Sequence, residues 1–123
     1  MLTEYKTEIT VTTTTTFSIK EIEDIICAAF EGGINYWCDN IDVPDFGEHT
    51  YAHEVLAHGG KVILNDFEDD DKKHEIDGAN IQKGLELMAK GLPNAFARLK
   101  GDYDALDADG LIQYAVFGNV IYG

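Results

Sequence analysis

Residues 61–92 read KVILNDFEDDDKKHEIDGANIQKGLELMAKGL, and the architecture follows from this stretch. Lys61–Phe67 has strand character, with Val62 and Leu64 on one face. Four consecutive acids, Glu68–Asp71, make a solvated turn, and Lys72–Ile76 returns as the hairpin partner. Asp77 is placed to cap a helix whose Ile81, Leu85, Met88 and Leu92 form one stripe. Gly91 and Pro93 punctuate the join to a further helical turn, Asn94–Leu99. A hairpin feeding directly into a helix lacks the strand–helix alternation of a parallel sheet. The pattern predicts an α+β fold, a small antiparallel sheet with helices packed on one face.

Working outward, Ser18 and Glu21 match a capping box, with Phe17 and Ile22 at the staple positions around it. Ile19, Ile22, Ile25, Ile26, Ala29 and Phe30 follow at the spacing of one buried helix face, and Gly32-Gly33 is expected to end the helix in a left-handed cap. Ahead of it, Tyr5, Thr7, Ile9, Val11, Thr13, Thr15 and Phe17 alternate with polar residues, which predicts a β-branched strand. Ile34–Ile41 reads either as a short strand or as an irregular segment. Val43–Gly47 is turn chemistry, and a short helix is expected over Tyr51–His58 before Gly59-Gly60. A last helix is expected from about Asp107 to Phe117. With 123 residues, no repeat and no linker composition, residues 1–123 form one expected domain.

Charge is the strongest compositional signal. Twenty-three acids against nine Lys and Arg give −14. Such a field opposes direct binding to nucleic acid or anionic lipid, since each phosphate contact needs a cation. It favours encounter with basic surfaces. From Glu21 to Gly60 there are nine acids and no Lys or Arg, and Glu68–Asp71 adds four more in a row. Solvated loops explain such runs; clustered carboxylates that imitate phosphates explain them too. No apolar run is long enough to span a bilayer, and the opening residues lack a secretory pattern. Two cysteines, Cys27 and Cys38, make no disulfide framework, so free thiols in a reducing cytoplasm are expected.

Catalytic and metal signatures are incomplete. His53 and His58 flank Glu54 with one residue too many for a zinc-protease helix. His49, His53 and Asp45 could converge on a metal; surface histidines are the plainer reading. Asp102, Asp104, Asp107, Asp109 and Gly110 approach a calcium loop but lack its first and closing ligands, so they read as a helix-capping loop. No serine or cysteine sits in a nucleophile signature. The expectation is a non-enzyme without a cofactor or metal.

Glu31-Gly-Gly-Ile-Asn-Tyr-Trp37 is the most distinctive segment. In a strand its Tyr36 and Trp37 would face opposite sides, one toward the core and one toward solvent. Either both rings complete the core or they form a recognition platform. EGGINYW at 31–37, with LIQYAVFGNVIYG at 111–123, resembles a family of small uncharacterised proteins of phages, prophages and mobile elements. Gly59-Gly60 fits that pattern, while Asn119 stands where an acid is expected. The resemblance implies a phage setting without an assigned activity.

Setting and charge together lead to the expectation of an anti-defence inhibitor, similar to anti-CRISPR proteins. It would bind a basic nucleic-acid-binding surface of a host defence protein such as a CRISPR effector. The contact residues expected are Asp69, Asp70 and Asp71, then Asp39, Asp42 and Asp45, with Tyr36 and Trp37. One alternative is a sponge for a small nucleotide signal, drawing on Trp37, Tyr36, Lys61 or Arg98. Another is an unassigned phage accessory protein. A monomer and a homo-oligomer joined through exposed aromatics fit the sequence equally.

Overall fold

The computed structural model describes residues 1 and 3–123. Its regular elements are α1 (Ile19–Ala28), β1 (Cys38–Asp42), α2 (Ala52–Ala57), β2 (Val62–Asp66), β3 (Lys72–Ile76), α3 (Gly78–Gly91), α4 (Pro93–Arg98) and α5 (Ala105–Phe117). The sheet has the order β1-β2-β3 and is antiparallel throughout. The chain is therefore α+β, as its hairpin-then-helix pattern predicts.

The sheet separates two surfaces because side chains alternate along each strand. Val62, Leu64 and Asp66 of β2 point inward with Ile76, and all four are buried. Ile63 lies opposite Asp42 and Glu75, while Asn65 lies opposite Asn40 and Lys73, which places this set on the outward face. The helices cover the inward face. At their centre runs α5, buried at every position from Asp107 to Ala115. Gly84 of α3 lets that helix lie close to α5, since a Cβ there would stand 2.9 Å from the Ala115 nitrogen.

The Ser18–Glu21 capping box closes as the sequence indicates: Ser18 Oγ accepts from the Glu21 amide (3.0 Å), and Glu21 accepts from the Ser18 amide (3.1 Å). Ile22, Ile25 and Ile26 bury the inner face of α1. Each such side chain contributes about 1.5–3 kcal/mol relative to exposure. The helix end differs from expectation. Instead of a left-handed glycine cap, Ala29–Gly33 makes a π-helical turn, closed by the Ile34 amide on the Ala29 carbonyl (3.0 Å). Gly33 is needed for proximity: a Cβ there would meet the Ala105 carbonyl oxygen at 2.6 Å.

The larger correction concerns the opening segment. Residues 3–17 form no strand, and Tyr5, Ile9 and Val11 are 87%, 75% and 73% exposed. Alternation specifies which face a strand would bury, but a strand also needs a ladder partner. Neither β1 nor β3 supplies one here. Only the root is tied down. Phe17 packs edge-on against Phe96 (5.8 Å), and the Thr16 carbonyl accepts from Lys100 Nζ (2.6 Å).

Candidate partner-binding face

Two acid clusters far apart in sequence meet on the outward face of the sheet. The β1–β2 register shifts between Cys38 and Asn40, leaving Asp39 as a bulged residue. Asn65 Nδ2 donates to Asp39 Oδ1 (2.6 Å) and to Asp71 Oδ1 (3.2 Å), while Lys73 Nζ donates to Asn65 Oδ1 (3.3 Å). One amide group thus joins the bulge in β1 to the β2–β3 turn and holds two carboxylates side by side. Asp42 is exposed further along β1, opposite Ile63. Asp45 lies apart, accepting from the Gly47 amide (2.8 Å) in the following turn.

The turn itself is pre-shaped. Asp70 and Asp71 adopt positive φ of 52° and 57°, a conformation that Asp tolerates better than most residues. Beneath it, fully buried Asp66 accepts from the Glu68 amide (3.1 Å) and from Tyr122 Oη (2.8 Å), and pairs with His74 Nε2 (3.2 Å). The exposed acids Glu68 to Asp71 therefore ride on a turn braced from the inside.

The aromatic motif separates into two roles. Trp37 is 0% exposed, so the expectation that it contacts a partner is corrected: its indole is a core group. Its Nε1 donates to Asp109 Oδ1 (2.9 Å), and its ring stacks on Tyr122 at 5.5 Å and 27°. Tyr36 keeps 41% of its surface exposed while its hydroxyl donates to Asp109 Oδ2 (2.6 Å). One residue in and one out matches the strand-based expectation, although residues 34–37 form a turn.

Gln113 completes the junction. Its Nε2 donates to Asp109 (3.0 Å) and to the Tyr122 carbonyl (3.0 Å), and its Oε1 accepts from the Ile121 and Tyr122 amides (2.9 Å each). Residues 31–37 and 111–123 are thus two halves of one structural joint. Burial, aided by the bond to Asp109, pushes the Tyr36 hydroxyl up to about 12. Burial likewise takes Tyr122 to about 12, with Asp66 adding to it. Sequence reading missed Asp66 and Gln113 and placed Asp109 in a capping loop, not in this joint. The visible signal was Gln113, one polar residue inside the apolar run LIQYAVF.

The remaining groups are committed elsewhere. Arg98 binds buried Asp107 with two bonds, Nε–Oδ2 at 2.8 Å and Nη2–Oδ1 at 2.7 Å. Lys61 lies 3.5 Å from Glu75. Trp37 is buried as well, so three of the residues considered for a nucleotide site are already engaged within the fold. Asp104 caps α5, accepting from the Asp107 amide (2.8 Å), in keeping with a capping loop. The His49 ring packs at a tilt against His58 (4.5 Å), which pairs with Glu23 (2.7 Å), while His53 stacks on Tyr51 (5.4 Å). The grouping of His49, His53 and Asp45 is therefore not formed. Among the described residues no set of three His, Cys, Asp or Glu is arranged to hold a metal ion. Cys38 is buried, and burial pushes its thiol up to about 11; Cys27 is raised by the same cause.

Among the described residues no helix is long and apolar enough to cross a membrane. Comparison with family models, curated proteins and solved structures finds no match to this chain.

Proposed function

We propose that the chain is a nucleic-acid mimic, an anti-defence inhibitor of phage origin that occupies a basic nucleic-acid-binding surface of a host defence protein such as a CRISPR effector. The observation that carries the reading is the Asn65 clamp. It gathers Asp39 and Asp71 onto one solvent-facing surface, beside Glu68, Asp69 and Asp70. Duplex DNA presents about one negative charge per 1.7 Å of axis, so a mimic needs carboxylates held close together on a rigid base. A bulge, a braced turn and a short sheet supply that base, and little reorganisation is left for binding. Net charge of −14 steers the approach to a basic groove.

In this role Asp39, Asp69, Asp70 and Asp71 replace phosphates, Asp42 and Asp45 extend the field, and Tyr36 offers the half of its ring that faces solvent. The test is capture followed by competition. Immobilised protein is exposed to bacterial lysate cleared of nucleic acid, and each retained protein is assayed for DNA or RNA binding with and without the inhibitor. The expected result is a retained nucleic-acid-binding protein whose ligand is displaced. Retention of none, or simultaneous binding of inhibitor and nucleic acid, would overturn the proposal.

A further inference from the structure

The molecule carries two unmet halves of one structure. Residues 3–17 have the composition and alternation of a strand, yet they have no sheet, and their apolar face is in water. Among the described residues β3 has a ladder only with β2 and is one of the two edges of the sheet, β1 being the other. The arm leaves its own β3 edge uncovered, its root being held on Phe96 and Lys100.

We infer that the arm adds to the β3 edge of a second copy of this chain, reciprocally, in a twofold dimer. Charge order sets the register. Antiparallel addition with Glu8 opposite Lys73 puts Lys6 opposite Glu75, two attractive pairs on the outward face. The same register sets Tyr5 opposite Ile76 on the inward face, alongside the core. Sliding the arm by two residues in one direction sets Lys6 against Lys73 and Glu4 against Glu75. Sliding it in the other sets Glu8 against Glu75. A slip of one residue turns Tyr5, Ile9 and Val11 out to solvent. Only the register with Glu8 opposite Lys73 makes two attractive pairs.

Three of the four side chains are held only by weak exposed contacts, while Lys73 Nζ also donates to Asn65 Oδ1 (3.3 Å) and has to share that bond. Lys6 and Glu8 now form an exposed contact of 3.4 Å, and Lys61 and Glu75 one of 3.5 Å. Exposed pairs of this kind hold weakly. Addition to an existing sheet also avoids the marginal stability of an isolated two-stranded ribbon. The arm carries only two of the chain's 23 acids, so it approaches the second copy with little repulsion of its own. The inference does not rest on the acidic-face reading, although Lys73 is shared with the Asn65 clamp.

Sedimentation equilibrium of the full chain at physiological salt tests it, with far-UV circular dichroism confirming each fold. The wild type should dimerise. Glu8→Lys sets lysine against Lys73, and Lys73→Glu sets glutamate against Glu8. Each should weaken the dimer roughly tenfold or more, as like charges directly opposite do. An equimolar mixture of the two variants should recover it, because every arm then meets the opposite charge. A parallel addition would place Glu4 opposite Lys73 and Glu8 against Asp77, so Glu8→Lys would not weaken it. A wild type that stays monomeric at every concentration overturns the inference. So does a dimer indifferent to either swap, or a mixture that fails to recover.

Discussion

Replacing Trp37 with alanine separates core from contact at the most distinctive motif of the chain. The indole is fully buried, stacks on Tyr122, lies 5.5 Å from Phe117 and donates to Asp109. Truncation of a buried Trp costs about 3–5 kcal/mol. Loss of one hydrogen bond adds about 1 kcal/mol, limited because Asp109 keeps Tyr36 and Gln113 as donors. A total near 4–6 kcal/mol is a quarter or more of the ~5–15 kcal/mol that holds a domain folded. At this chain length it corresponds to a fall in Tm of roughly 15–25 °C. Urea melts followed by far-UV circular dichroism are the assay, since the variant removes the only tryptophan. The tail from Gly118 onward, having lost its stacking surface, should also exchange its amides faster. A Trp37→Ala protein that melts within about 1 kcal/mol of the parent would refute the account of the joint.

Other consequences follow from the same contacts. Replacing Asp69, Asp70 and Asp71 with asparagine should leave the melting curve unchanged, because Asn tolerates positive φ as Asp does, while clearly weakening partner binding. Hydrogen bonds from the Arg98 guanidinium hold Asp107 below its ordinary value. The native state therefore takes up that proton later than the unfolded chain, and this stabilisation is present above about pH 4 and lost as acid is added. In Arg98→Met the fall in stability below about pH 4 should be shallower, read from melts in acid. Tyr36 and Tyr122, raised to about 12, stabilise the fold up to the ordinary tyrosine value and cease to do so as pH climbs toward 12. Ultraviolet titration should show these two ionising late, together with unfolding. Burial that pushes the Cys38 thiol up to about 11 should keep it unalkylated at neutral pH until denaturant is added, which mass spectrometry reads directly.

What was legible in the sequence depended on how local the cause was. Ser18 and Glu21 satisfy each other three residues apart, and the β2–β3 turn is written in four adjacent acids, so both elements could be read directly. The arm could not, because Thr13 or Val11 can specify a strand face without naming the strand's partner. Gly33 was legible as a stop but not for the right reason, since the crowding comes from Ala105, more than seventy positions away. The acid clusters were visible singly; their joining was not, because it rests on Asn65, which no run or spacing marks. By composition Asp107 and Asp109 read as part of a helix-capping loop. Burial in α5 instead makes them anchors for Arg98 and Trp37. His49 and His58 meet through the turn of α2, a pairing that four-residue spacing does not suggest.

The acidic-face proposal stands on how one binding constant responds to charge. The protein is titrated into its captured nucleic-acid-binding partner, preloaded with labelled nucleic acid, at low and at high salt. Wild type should displace the label, with an affinity that falls steeply as salt shortens the Debye length from about 8 Å toward 3 Å. The variant Asp69→Asn, Asp70→Asn, Asp71→Asn should displace it poorly at either salt. Equal displacement by wild type and variant, with affinity unchanged by salt, would contradict the proposal.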